Sequence, residues 1–105
     1  IGFGLSINDL NLPTAFRVHQ NYPNPFNPST NIDYDLPEDS FVSITIFDMM
    51  GRIVNQSTFE NQSAGFQSFK WNGTNDRGSL VSAGVYFYSI RTKNNFETRK
   101  MIMLK

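Results

Sequence analysis

His19 is the only histidine of this 105-residue sequence and the first candidate for acid–base chemistry. A catalytic histidine needs an orienting group on one side and a nucleophile on the other. The sequence shows no Ser–Asp arrangement around His19. It also contains no cysteine, which excludes a thiol nucleophile, thiolate metal ligands and disulfides. We therefore interpret His19 as a partly exposed residue of a strand.

Four carboxylates form the second candidate group, at Asp33, Asp35, Glu38 and Asp39. A pair of carboxylates can hydrolyse a glycosidic bond when burial separates their pKa values. Asp33 and Asp35 alternate with apolar residues, a spacing that puts both aspartates on the solvated face of a strand. We therefore expect these carboxylates to serve solubility, and the sequence offers no candidate for a catalytic site.

The loop from Asn72 to Ser79 has the oxygen-rich composition that suits a calcium site. Ca²⁺ takes about six to eight oxygen ligands, but this loop has one carboxylate, Asp76, and lacks the spacing that ends in Glu. We interpret the loop as a self-hydrogen-bonded Asx turn, with calcium as the alternative. No cofactor is expected.

Exposed aromatic rings are a further candidate surface. We expect partial exposure among Phe26, Phe41, Phe47, Phe87 and Tyr88, because a chain this small cannot bury all ten of its Phe residues. Coplanar exposed rings would suit sugar stacking or contact with a protein.

The last residues of the sequence combine basic and apolar side chains. Many of the nine Lys and Arg residues lie here, at Arg91, Lys93, Arg99, Lys100 and Lys105. One interpretation is an edge strand that its charges protect from aggregation. The other is a docking strand that a partner reads through its backbone edge and flanking charges.

The composition limits the class of protein that carries these residues. A mass of 12.0 kDa fits one domain. Nine Lys and Arg balance nine Asp and Glu, so the chain lacks the basic field of a nucleic-acid binder. No apolar run approaches the ~20 residues of a membrane helix. Abundant Asn, Ser, Gly and Pro favour turns, and the Ile, Val, Thr, Tyr and Phe content favours strands.

Alternation of apolar and polar residues predicts seven or eight antiparallel strands at the spacing of a β-sandwich. Ile32, Tyr34 and Leu36 show the period of two most clearly. The predicted strands are 16–20, 31–36, 41–47, 53–59, 66–71, 85–92 and 96–104, with 80–81 as a short extra segment. The last strand has an ambiguous inward face, because apolar residues occur on both sides.

Two segments are predicted to lie outside the strands. Residues 1–15 read as a linker from an upstream domain, with a short helix conceivable from Ser6 to Leu10, and the domain itself is expected at 16–105. The segment from Asn21 to Ser29 contains three prolines. Proline fixes φ and lacks an amide donor, so this segment is expected to be a rigid loop that cannot join a β-ladder.

Several motifs in this order resemble one family. They are Gln20–Thr30, Phe47–Arg52, Trp71–Gly73 with Asp76–Gly78, Ala83–Tyr88 and Lys100–Lys105. Together they are similar to the type A C-terminal sorting domain of proteins exported by the type IX secretion system of Bacteroidota. The stretch from Trp71 to Tyr88 also resembles the immunoglobulin-like domain of flagellar hook-capping proteins. Two departures are Asn72, where the family often has Asp, and Arg52, where it often has Gln.

The resemblance implies an all-β, immunoglobulin-like sandwich that directs an upstream cargo to the outer-membrane translocon. It implies a secreted or cell-surface protein, from which a sortase-like peptidase commonly removes the domain. The positions it assigns to translocon recognition are Pro23, Pro25, Gly84, Tyr86, Lys100, Met101, Ile102, Met103, Leu104 and Lys105. The alternative is a structural or carbohydrate-binding sandwich appended to a secreted enzyme, and an edge-strand dimer is conceivable in either case.

Overall fold

The computed structural model describes residues 11–105, so the helix considered at Ser6–Leu10 and most of the predicted linker lie outside the described residues. Within that range every helix-or-strand element is a strand. The strands are β1 (Arg17–Val18), β2 (Thr30–Leu36), β3 (Ser40–Asp48), β4 (Ile53–Gln62), β5 (Gly65–Trp71), β6 (Gly84–Thr92) and β7 (Phe96–Met103). The described part of the chain accordingly holds no helix with the length and apolar character that crossing a membrane requires.

Two sheets face each other across one core. One sheet has the strand order β1-β2-β5 and the other has the order β4-β3-β6-β7, and every paired neighbour is antiparallel. β4 and β5 are consecutive but lie in different sheets, so the turn between them crosses from one sheet to the other. The prediction of an all-β, immunoglobulin-like sandwich of seven or eight antiparallel strands is confirmed, with seven strands present in the described residues. The extra segment at 80–81 forms only an isolated bridge between Thr74 and Leu80.

The core follows the alternation of the strands. Its buried side chains include Ile32, Tyr34, Leu36, Val42, Ile44, Ile46, Tyr86, Tyr88 and Ile90. Trp71 lies between Phe26 and Tyr86, with edge-on ring contacts at centroid distances of 5.8 and 5.5 Å. Each such side chain contributes about 1.5–3 kcal/mol through removal of its apolar surface from water. The inward face of β7 is also resolved, because Met101 and Met103 point into this core.

Some details of the sequence prediction are wrong. The first strand is only two residues long, because the chain leaves the sheet toward the proline-rich segment. Phe26 and Tyr88 were expected to expose their rings, yet both are buried between the sheets. Asp35 was expected on the solvated face, yet it is 7% exposed, because the His19 side chain lies against it.

The two ends of the sandwich carry different segments. We call one the proximal end, formed by Phe16 and the turns at 37–39, 63–64 and 93–95. We call the other the distal end, formed by the loops 21–29, 49–52 and 72–83 and by residues 104–105. The chain therefore enters β1 at the proximal end and leaves β7 at the distal end.

Candidate functional site

The predicted recognition strand, β7, lies at one edge of the four-stranded sheet. Met101 and Met103 are buried in the core, and Ile102 is partly buried on the opposite face. Lys100, Leu104 and Lys105 are exposed. A partner in solution can therefore reach the two lysines and Leu104, whereas the two methionines hold the strand in place.

The outer edge of β7 is covered by the proline-rich segment of the same chain. The amide of Phe26 donates to the Ile102 carbonyl at 3.0 Å, and the amide of Leu104 donates to the Phe26 carbonyl at 2.8 Å. The Ile102 amide donates to Asn24 Oδ1 at 3.0 Å. Near the middle of the strand, Gln20 Nε2 donates to the Lys100 carbonyl at 2.8 Å.

This pairing bears on two expectations. The proline-rich segment does pair with a strand, through an isolated parallel bridge between Phe26 and Met103, because Phe26 keeps the amide group that a proline lacks. Docking through the backbone edge of the last strand would compete with bonds that the chain already makes there, because the Lys100 carbonyl, the Ile102 amide and carbonyl and the Leu104 amide all have partners within the chain. The groups that a partner can reach in this segment are the exposed side chains of Lys100, Leu104 and Lys105.

Hydrogen bonds from three neighbouring residues hold the start of the proline-rich segment. The Pro23 carbonyl accepts from Asn21 Nδ2 at 3.2 Å and from Thr30 Oγ1 at 2.8 Å. The Tyr88 hydroxyl donates to the His19 carbonyl at 2.7 Å and accepts from the Asn21 amide at 2.9 Å. Burial raises the pKa of Tyr88, so its hydroxyl keeps its proton. Tyr88 thus joins the four-stranded sheet to this segment.

Pro23 and Pro25 are exposed, although their neighbours are fixed. Their rings take no part in the backbone bonds to β7, which Asn24 and Phe26 supply. The structure therefore brings the two prolines next to β7 and leaves their rings on the surface.

Gly84 and Tyr86 lie at the start of β6, opposite the end of β7. Gly84 pairs in register with Met103, and Tyr86 pairs with Met101. Gly84 has a φ of +150°, which residues with a side chain rarely adopt. The Tyr86 ring is buried and its hydroxyl donates to the Ser82 carbonyl at 2.6 Å, as expected for a buried tyrosine.

Gly73 marks a close approach between two of the motifs. A Cβ at this position would lie 2.7 Å from the Pro28 carbonyl oxygen and 3.2 Å from the Met103 sulfur. Its φ of +74° is in the left-handed region. Only glycine fits here, so the loop after β5, the proline-rich segment and β7 meet at one point of the distal end.

The distal end also carries a tightly closed hairpin between β3 and β4. Asp48 Oδ1 accepts from the amides of Met50 and Arg52, and Asp48 Oδ2 accepts from Arg52 Nε at 2.8 Å. Hydrogen bonds, above all from the Arg52 amide, hold the pKa of Asp48 below its ordinary value. This closed turn presents the side chains of Met49 and Met50 to solvent.

A groove of about 410 Å³ opens between the loops of the distal end. Pro28 lines one side, Leu80 and Val81 line another, and Leu104 and Lys105 line the third. Its lining residues therefore come from the proline-rich segment, from the loop before β6 and from the residues after β7. Sequence reasoning did not connect these positions, because they are far apart in the chain.

The catalytic and metal candidates do not assemble a reactive site. His19 Nε2 lies 3.0 Å from Asp35 Oδ1, but neither atom has a hydroxyl nucleophile among its hydrogen-bond partners. Asn75 Oδ1 accepts from the amides of Arg77 and Ser79, which is the predicted Asx turn. Across residues 11–105, no three His, Asp or Glu side chains converge as metal ligands.

The aromatic candidates divide between core and surface. Phe41 is exposed, whereas Phe47 and Phe87 are partly buried and lie opposite each other in the β3–β6 register. The close ring contacts in the described range join Phe26, Trp71 and Tyr86 in one group and Phe59 with Phe69 in another. These rings face the interior, so they offer no platform to a sugar.

Sequence reasoning missed the residues that join the two predicted recognition segments. Asn24 and Gln20 bond the β7 backbone, and Arg99 Nε donates to the Val18 carbonyl at 2.7 Å. The signal available in the sequence was Asn24 between two prolines. Its side-chain amide has an oxygen that can accept a hydrogen bond from a neighbouring backbone amide.

Comparison with known families and structures gives a consistent fold. The family profile described as the FlgD Ig-like domain matches residues 26–95. No curated protein matches the chain significantly by sequence. Several solved structures are similar to this chain in fold.

Dimeric latent PorU from Porphyromonas gingivalis is 22% identical with a TM-score of 0.67, and the match covers 83% of this chain and 9% of PorU. FlgD from P. aeruginosa is 27% identical with a TM-score of 0.57, covering 70% of this chain and 57% of FlgD. PorZ, described as an essential bacterial surface component of the type IX secretion system of P. gingivalis, is 22% identical with a TM-score of 0.60, covering 84% of this chain and 11% of PorZ. This chain thus spans less than two thirds of each of these proteins.

Proposed function

Since this chain belongs to the FlgD Ig-like domain family, we propose that it is a non-catalytic address domain for export. In this proposal the folded domain directs an upstream cargo to the type IX outer-membrane translocon. A sortase-like peptidase then releases the domain or attaches the cargo to the cell surface. The proposed location is the cell surface or the medium.

The observation that carries the proposal is the joint between the proline-rich segment and β7. Phe26 and Asn24 bond the backbone from Ile102 to Leu104, so two segments that resemble sorting motifs form one rigid surface. A rigid surface suits recognition after folding, because little conformational entropy is lost on binding. The similarity to PorZ supports the fold alone. The proposed export function rests on the segments that resemble sorting motifs.

The exposed residues of this joint are the proposed contacts. Met101 and Met103 are buried beneath it, whereas the exposed residues on it are Pro23, Pro25, Lys100, Leu104 and Lys105. We therefore assign contact with the translocon to the exposed set. Gly84, Tyr86 and the two methionines act by shaping the surface.

The burial of the methionines decides how the proposal is tested. Deleting residues 100–105 would remove two core side chains, so loss of export would also follow from unfolding. Charge reversal of exposed side chains avoids this. The test is a reporter fused to residues 1–105 in a host with a type IX system, carrying Lys100→Glu and Lys105→Glu together.

We expect the double variant to stay with the cell while the parent reporter reaches the surface or the medium. The matched control is Lys93→Glu, because Lys93 is an exposed lysine at the proximal end. Circular dichroism of the purified domains must show equal thermal midpoints. Export of the double variant at the parent level would overturn the assignment of these two lysines, and failure of the parent reporter would overturn the address function.

A further inference from the structure

The joint leaves only part of the last segment open to a partner. The side chains of Met101 and Met103 lie in the core. Gln20, Asn24 and Phe26 bond the outer backbone edge at the Lys100 carbonyl, at Ile102 and at the Leu104 amide. The side chains of Leu104 and Lys105 extend beyond the joint into the lining of the distal groove. The accessible end of this segment is therefore a wall of that groove.

The groove presents apolar surface that the chain leaves open. Leu80 is 67% exposed and Leu104 is 52% exposed, and both line it together with Pro28 and Val81. Exposed leucines on a concave surface are typical of a contact site, whereas single exposed apolar residues elsewhere need no explanation.

The walls of the groove are held by backbone hydrogen bonds. The Val81 amide donates to the Gly73 carbonyl at 2.9 Å, and Thr74 and Leu80 form a β-bridge. On the other wall, the Leu104 amide donates to the Phe26 carbonyl at 2.8 Å. Since these contacts exist before any partner binds, an occupant would not have to order the loops.

The charge of the lining restricts the occupant. Lys105 is the only charged residue among those that line the groove. An apolar occupant with one carboxylate would match a lining with one cationic side chain and no acidic side chain. A positively charged side chain on the occupant would be repelled by Lys105, because the lining has no acidic side chain.

The size of the groove also restricts the occupant. Nine residues line it, whereas a stable protein dimer buries about 20–30 residues on each side. A short segment therefore fits the groove better than a second copy of this chain does.

We propose that the distal groove is a docking site for a short apolar segment of a protein partner, with one acidic residue placed opposite Lys105. This inference rests on the address function, because it names the part of the domain that the export machinery would grip. It adds Pro28, Leu80 and Val81 to the recognition residues. It also replaces pairing along the β7 edge with side-chain contacts at its end.

The test is an NMR titration of the ¹⁵N-labelled 105-residue chain with acetyl-Leu-Leu-Asp-Leu-amide at millimolar concentration. We expect amide shifts at 80–83 and at 103–105, with no comparable shifts in the proximal turns. The matched peptide with Asn in place of Asp should bind about threefold more weakly, the size of one exposed ion pair. Absence of shifts at the groove, or equal affinity for the two peptides, would overturn the proposal.

Protein variants separate the groove from the rest of the surface. Leu80→Glu places a carboxylate in the lining and should abolish the shifts. Phe66→Glu is the control, because Phe66 is 59% exposed and lies on β5 near the proximal end. Concentration-dependent shifts at the groove without peptide would identify a second copy as the occupant and overturn the proposed one.

The reporter assay distinguishes this inference from the function on which it rests. If the parent reporter is exported and the Leu80→Glu reporter is not, both stand. If both reporters are exported equally, the groove is overturned as the recognition site while the address function stands. If the parent reporter itself is retained, the address function fails, and the peptide titration still decides whether the groove binds an acidic apolar segment.

Discussion

The amide of Phe26 donates a hydrogen bond to the Ile102 carbonyl at 3.0 Å, across 76 positions of sequence. This bond places a ring from the proline-rich segment in the core beneath the last strand, where the ring is 2% exposed. One residue therefore supplies both the edge pairing and part of the packing. Phe26 thereby occupies the Ile102 carbonyl and the Leu104 amide, two edge groups with which an added strand would otherwise pair.

Replacing Phe26 by Ala should lower the free energy of unfolding by about 3–5 kcal/mol, because it leaves a cavity beside Trp71. Urea unfolding followed by tryptophan fluorescence measures this loss. Phe66→Ala is the control, because its ring is largely exposed, and its effect should stay within about 0.5 kcal/mol. Similar losses in the two variants would contradict the packing role of Phe26.

Replacing Asn24 by Ala should remove the acceptor of the Ile102 amide and cost about 1 kcal/mol. The change in hydrogen exchange at Ile102 tests this role more directly than the total loss of stability does. Hydrogen exchange of the Ile102 amide should accelerate, while exchange of the Leu104 amide, which bonds the Phe26 carbonyl, should change less. Unchanged exchange at Ile102 would show that Asn24 does not protect the edge.

Replacing Tyr88 by Phe should destabilise the chain by about 1–3 kcal/mol. The Tyr88 hydroxyl serves the Asn21 amide and the His19 carbonyl, and its removal leaves these backbone groups without that partner. Thermal unfolding of Tyr22→Phe provides the control, because Tyr22 is 78% exposed. The two variants should differ clearly in their midpoints, and equal midpoints would contradict the role of the buried hydroxyl.

Replacing Gly73 by Ala should destabilise the chain by about 2–4 kcal/mol. The added methyl group would meet the Pro28 carbonyl oxygen at 2.7 Å, and its backbone has a positive φ. Chemical denaturation measures the loss. The control is Gly78→Ala, because Gly78 also has a positive φ, of +83°, but has open space around the new Cβ, so the change should cost less.

The hairpin between β3 and β4 should loosen in acid. Because hydrogen bonds lower the pKa of Asp48 in the folded state, its contribution to stability is present above its ordinary pKa. That contribution is lost as the pH falls through the lowered pKa. A ¹³C titration of the Asp48 carboxyl should give a midpoint below the ordinary value, and Arg52→Ala should move the midpoint upward.

The sequence predicted the sheets well, because burial on one face of a strand imposes a period of two. Ile32, Tyr34 and Leu36 show this period and are all buried. The same rule failed for Asp35, because its burial depends on His19, which lies 16 positions away. Periodicity describes the face of a strand but not which distant residue the fold places over that face.

The recognition surface was only partly predictable. The resemblance picked out Pro23, Pro25 and the segment from Lys100 to Lys105 as two separate motifs. Their union depends on Asn24 and Phe26, whose roles arise only when the two segments are adjacent. The distal groove escaped prediction for the same reason, since its walls come from three separate parts of the chain.

The order of the amino acids by itself determined an all-β chain, its turns and the outward position of most charged residues, because these follow from neighbours a few positions apart. Tertiary structure alone decided that the last strand has an occupied edge and that Leu80 and Leu104 share a groove. Those features need contacts between residues distant in sequence, which form only after the two sheets have packed.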